Sequence, residues 1–112
     1  MNDPMKDQPI GVYITTPSLE VGKESAAALL DQKLAACVNI VSPVTSLYLW
    51  QGETHEDQEA LLIVKSRMGL FANRLTPAVL SIHPYETPEI IALPVIAGER
   101  EYLDWITAET GG

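Results

Sequence analysis

The chain has 112 residues, 46% of them apolar, and carries 15 acids against 7 bases for a net charge of -8. That length supports one domain with a real core but not two, and the apolar share excludes intrinsic disorder. A negative field of this size repels phosphate backbones and anionic lipid, so neither nucleic acid nor a membrane is an expected partner.

The opening MNDPMKDQP mixes acids and prolines and holds no apolar core of a secretory signal. Residues 1–9 are therefore expected to be a flexible tail, and 10–110 a single domain. IGVYITT (Ile10 to Thr16) is β-branched and aromatic and is stopped by Pro17, which predicts a buried first strand. Ser18 is placed to cap a following helix, with Glu20 and Glu24 near its positive end. Ala27, Leu30 and Leu34 recur at helical spacing and would dock that helix on a sheet.

From Ala36 to Trp50 the residues switch to strand formers, and a turn around Gln51, Gly52 and Glu53 predicts a long β-hairpin with arms near 36–50 and 58–65. Pro43 cannot donate to a ladder and marks a bend or bulge in the first arm. Met68, Phe71, Leu75 and Val79 return to helical spacing, with a kink or fresh turn expected at Pro77. EIIALPVIA then reads as a fourth strand and EREYLDWITAE as a short C-terminal helix. The order βαββαβ plus a terminal helix is that of an α+β, ferredoxin-like fold: four antiparallel strands with helices on one face. The hairpin outgrows that compact sheet and must project. Its exposed ladder groups are a liability unless another chain covers them, so self-association is expected.

The chemistry is sparse. No nucleophile-and-base pair stands out, and the chain lacks G-x-S-x-G, a Walker loop, G-x-G-x-x-G, H-E-x-x-H and C-x-x-C. Cys37, within LAACVNIV, reads as small buried filler, and a lone cysteine fits a cytoplasmic protein. The acidic GETHEDQE at the hairpin tip matches no metal loop and reads as a solvated turn. His83 opens HPYETPEIIALP, where Pro84 and Pro88 force a turn into the last strand; the histidine is either part of that punctuation or a metal ligand. Lys65, alternating with Ile63, either pairs with Glu59 or another acid or is exposed. Tyr48, Trp50, Tyr102 and Trp105 are suited to an oligomer interface or to core packing.

KLAACVNI (Lys33 to Ile40), TSLYLWQGE (Thr45 to Glu53), Glu59 with LLIVKS (Leu61 to Ser66), HPYETPEIIALPV (His83 to Val95) and YLDWI (Tyr102 to Ile106) occur together and in order. With these five blocks the chain resembles the CutA divalent-cation tolerance family from about Val12 to Trp105. The resemblance implies a homotrimer with the hairpin arms and terminal segments between protomers. It also implies a role in tolerance to divalent cations, copper above all, and no enzymatic activity. Copper ligation in some members uses a cysteine at the end of the first strand and two adjacent histidines; here Ile14 and Ile82 stand at two of those positions and only His83 remains. Isoleucine offers no lone pair, so that site cannot form. A weaker Cu2+ or Zn2+ contact through His83 with Glu86 or Glu89 is the residual expectation, and no cofactor is required. The resemblance extends to trimeric PII-like signalling proteins. An alternative is therefore a sensor that binds a small metabolite in an inter-subunit cleft lined by Trp50, Glu59, Lys65, His83 and Tyr85. A third reading is a scaffold that presents surfaces to another protein.

Overall fold

The computed structural model describes residues 5–111. Its sheet has the order β2-β3-β1-β4 with antiparallel pairs throughout, built from β1 (Pro9–Thr16), β2 (Cys37–Trp50), β3 (Glu53–Arg67) and β4 (Ile90–Pro94). β1 is central, and alternation decides its two faces: Ile10, Val12, Ile14 and Thr16 are buried, while the residues between them are half-buried. The buried set meets Leu62 and Val64 of β3 and Leu29, Leu75 and Val79 from the helices in one core. Each such side chain removed from water contributes about 1.5–3 kcal/mol.

The first helix (Leu19–Asp31) starts where expected, since the Ser18 hydroxyl accepts the Val21 N–H at 3.2 Å. The middle helix spans 68–80, with a π-helical stretch at Phe71–Leu75 immediately before Thr76–Leu80. That wide turn takes up the backbone displacement imposed by Pro77, which has no N–H for the preceding turn. The C-terminal helix (Arg100–Glu109) is capped by Glu99, whose carboxylate accepts the N–H groups of Glu101 and Tyr102 at 2.9 and 3.0 Å. It packs on the face opposite the core. Arg67 shares strand parity with Lys65 and Ile63, and its guanidinium donates to the Thr110 hydroxyl and carbonyl at 3.1 and 2.9 Å.

Three boundaries differ from the sequence expectation. The tail is shorter: the Lys6 and Gln8 carbonyls accept from Gly69 and Met68 at 2.9 and 2.8 Å, so this segment is fastened to the middle helix before Pro9 opens β1. Residues 1–4 lie outside the described residues. The second arm begins at Glu53, because Gln51 and Gly52, both at positive φ (52° and 82°), form a two-residue turn that returns the chain directly into strand. The acidic tip is thus ladder rather than loop. β4 stops at Pro94, where proline has no N–H to continue the pairing.

The β1–β3 ladder ends at Thr16↔Ala60. Beyond it, from Val44 and Glu59 outward, β2 and β3 pair only with each other, and a register shift between Val41 and Val44 brackets Pro43. The ribbon projects, and the molecule measures 44 × 27 × 26 Å.

Candidate functional site

The projecting ribbon, the end of β1 and the segment after His83 enclose an open cavity of about 670 Å³. Thr15 comes from the end of β1, and Thr45, Ser46, Leu47, Tyr48 and Trp50 from β2. Glu59 enters from β3, and Tyr85, Glu86, Thr87 and Glu89 come from the HPYETPE turn.

His83 holds that turn in place. It is buried, and both ring nitrogens are engaged. The Tyr85 N–H donates to Nδ1 at 3.2 Å, which leaves Nε2 to carry the proton and donate to the Thr15 carbonyl at 2.6 Å. The ring also packs against Tyr85, with centroids 4.8 Å apart. His83 therefore ties the loop to the end of β1 and does not itself line the cavity.

Glu59 is the buried acid of the site, 7% exposed, and its Oε2 accepts the Tyr85 hydroxyl at 3.0 Å. Burial first, and then this bond to a carboxylate, push the Tyr85 phenol up to about 12. Lys65 is not the partner of Glu59; its ammonium donates to Asn39 Oδ1 at 2.7 Å, across the strand pair and away from the cavity. The Tyr48 hydroxyl donates to Asp57, which raises its pKa, and the Tyr48 ring stacks on His55 at 5.5 Å.

Of the residues singled out by sequence, the fold gathers Tyr48, Trp50, Glu59, Tyr85, Glu86 and Glu89 around one cavity. Lys65 and His83 lie outside its lining. Tyr102 and Trp105 sit together on the C-terminal helix, half-covered by each other at 5.5 Å. Sequence reasoning missed Thr15, Thr45 and Ser46, small hydroxyl residues whose only signal is that they stand where β1 ends and the ribbon begins to project. Among the described residues no group of three or more His, Cys, Asp or Glu side chains converges as a metal site would require.

A four-stranded ferredoxin-like sheet carrying an overlong central hairpin and a cavity at its root defines a class of small α+β proteins built for assembly. The CutA1 divalent ion tolerance family model matches residues 10–109, and the chain belongs to that family. It is 54% identical over 100 residues to the divalent-cation tolerance protein CutA of Thermus thermophilus, covering 89% of this chain and 96% of that protein. A solved structure of the T. thermophilus protein superposes with a TM-score of 0.89 at 52% identity, covering 92% of this chain and 99% of the other. The Archaeoglobus fulgidus structure, described as a periplasmic divalent cation tolerance protein CutA, gives a TM-score of 0.87 at 42% identity over 91% and 98% of the two chains. The chain spans only about half the length of the chloroplast CutA proteins of Oryza sativa and Arabidopsis thaliana, 56% and 55% of them. No helix among the described residues is long and apolar enough to cross a membrane.

Proposed function

We propose that this chain forms a homotrimer that serves in the cellular response to divalent cations, copper above all, and that its own contact with Cu2+ or Zn2+ is weak. The observation that carries the reading is the family match over residues 10–109, together with a surface suited to assembly: Leu47, Tyr48, Leu49 and Trp50 lie exposed on the ribbon, with Ile91 and Leu93 on β4. The number three follows from the family resemblance. No reaction is assigned to the protein. A cytoplasmic location fits the free Cys37, and cell fractionation decides between it and the periplasm named for the A. fulgidus relative.

Weak metal contact has a local physical reason. To offer a lone pair, His83 must give up the Tyr85 N–H at Nδ1 or lose the proton that holds Thr15, and Ile14 and Ile82 supply no second strong donor. Glu86 and Glu89, both exposed on the same turn, are the remaining donors. Calorimetric titration of CuCl2 and ZnCl2 into wild type is expected to give a shallow isotherm that is lost in His83→Ala, with circular dichroism checking that the variant is folded. Identical isotherms for the two proteins remove His83 from metal binding.

A further inference from the structure

The cavity at the root of the ribbon carries a charge pattern that no metal site explains. Three carboxylates line it, Glu59, Glu86 and Glu89, together with three aromatic side chains, Tyr48, Trp50 and Tyr85, and no lysine, arginine or histidine. Glu59 is nine-tenths buried, yet one tyrosine hydroxyl is its hydrogen-bonding partner. The ion pairs among the described residues, Arg67 with Asp7 and Arg100 with Asp104, do not include it. A carboxylate taken out of water is costly unless a cation or several donors meet it. Lys65, the nearest candidate in the sequence, is occupied by Asn39.

Size and shape separate the cations that would fit. A volume of about 670 Å³ is that of a small-molecule cleft and far exceeds what one ion fills. The acids do not converge into a coordination shell. Aromatic rings beside the acids reward a cation with an organic body, because the ring face attracts its charge and the ring covers its methylenes. Nucleotides and small acids, the ligands of a PII-like sensor, would be repelled by the same lining.

We infer that this cavity binds a small organic ammonium ion, with Glu59 as the buried counter-charge and Trp50 and Tyr85 as the aromatic walls. A diamine suits it best, one nitrogen at Glu59 and the other toward Glu86 and Glu89 at the rim. The inference stands independently of the metal reading.

The probe is 1,4-diaminobutane, titrated into the full chain while the indole N–H resonances of its two tryptophans are followed. Trp50 lines the cavity and Trp105 does not. A saturable shift of Trp50 alone is expected, with no shift from 1,4-butanediol at the same concentrations. Glu59→Gln should weaken the affinity about ten-fold or more, the loss of one charge-assisted hydrogen bond, whereas Glu20→Gln on the first helix should leave it unchanged. Should Glu59→Gln fail to fold, the rim variant Glu86→Gln/Glu89→Gln is expected to weaken binding several-fold. Absence of a saturable Trp50 shift, an equal shift with the diol or with MgCl2, or unchanged affinity in the acid variants overturns the proposal.

Discussion

The Tyr85 phenol lies between solvent and a buried acid, and its protonation decides whether Glu59 keeps its hydrogen-bonding partner. Its pKa is raised from 10.0 to about 12, by burial first and by Glu59 second. The sign follows directly. A group whose folded pKa exceeds its unfolded value contributes stability that is fully present below the unfolded value and is lost as pH rises through the folded one. The Tyr85–Glu59 contact should therefore support the fold at neutral pH and fail between pH 10 and about 12. At 38% exposure the side chain is partly screened, so the effect is modest. Denaturant melts at pH 8, 10 and 12 should show wild type losing more stability across the upper interval than Tyr85→Phe, which lacks the titrating group. Parallel curves for the two proteins would disprove the linkage. His83 makes a different point at the same scale. Its type and its acidic neighbours suggest a ligand, but the proton arrangement forced by Tyr85 and Thr15 makes it a fastener.

Among the elements, the ribbon depends most on one residue. Gly52 sits at φ +82°, and a Cβ there would meet no atom within 4 Å, so any penalty for a side chain comes from the backbone alone. An L-residue in the left-handed region costs about 1–2 kcal/mol. Gly52→Ala should speed amide exchange across 44–59 by about 5- to 30-fold while leaving the core amides of β1 unchanged. Gly52→Asn, which tolerates that conformation, should do less. Much of this architecture was legible in the sequence. β1 and the first helix have strong alternation and a serine cap, and the Pro43 bulge and Gly52 turn follow from what those residue types can do. The extent of the second arm was not legible, because GETHEDQE is acidic and polar at every position. Cross-strand pairs such as Gln58 to Thr45 at 2.9 Å and Tyr48 stacked on His55, rather than hydrophobic alternation, hold it in the ladder. The cavity was half legible: its aromatics and acids were singled out one at a time. Their convergence depends on His83 tying the turn to Thr15, a long-range contact that no local pattern encodes.

At the scale of the whole molecule, two opposing terms decide whether copies associate. Each chain brings a net charge of -8, which repels other copies. Against this stand apolar side chains left in water, Leu49 at 75% exposure foremost, with Leu47, Trp50, Ile91 and Leu93. Burying one such side chain gives about 1.5–3 kcal/mol, and several together outweigh surface repulsion that salt screens within roughly 8–10 Å. A two-stranded ribbon is also marginal by itself, so packing against a neighbour would stabilise the part of β2 and β3 that β1 does not reach. Association should therefore be apolar in origin and strengthened, not weakened, by added salt. Light scattering coupled to size exclusion should give wild type three times the 12.2 kDa chain mass at micromolar concentration. Leu49→Glu/Ile91→Glu places a charge in each apolar region and should shift the mass toward a single chain, most completely at low salt where repulsion is least screened. A wild-type mass of 12.2 kDa under these conditions would mean that the ribbon is stable without company. An undiminished assembly in the double variant would place the contact elsewhere, on the Tyr102 and Trp105 face of the C-terminal helix.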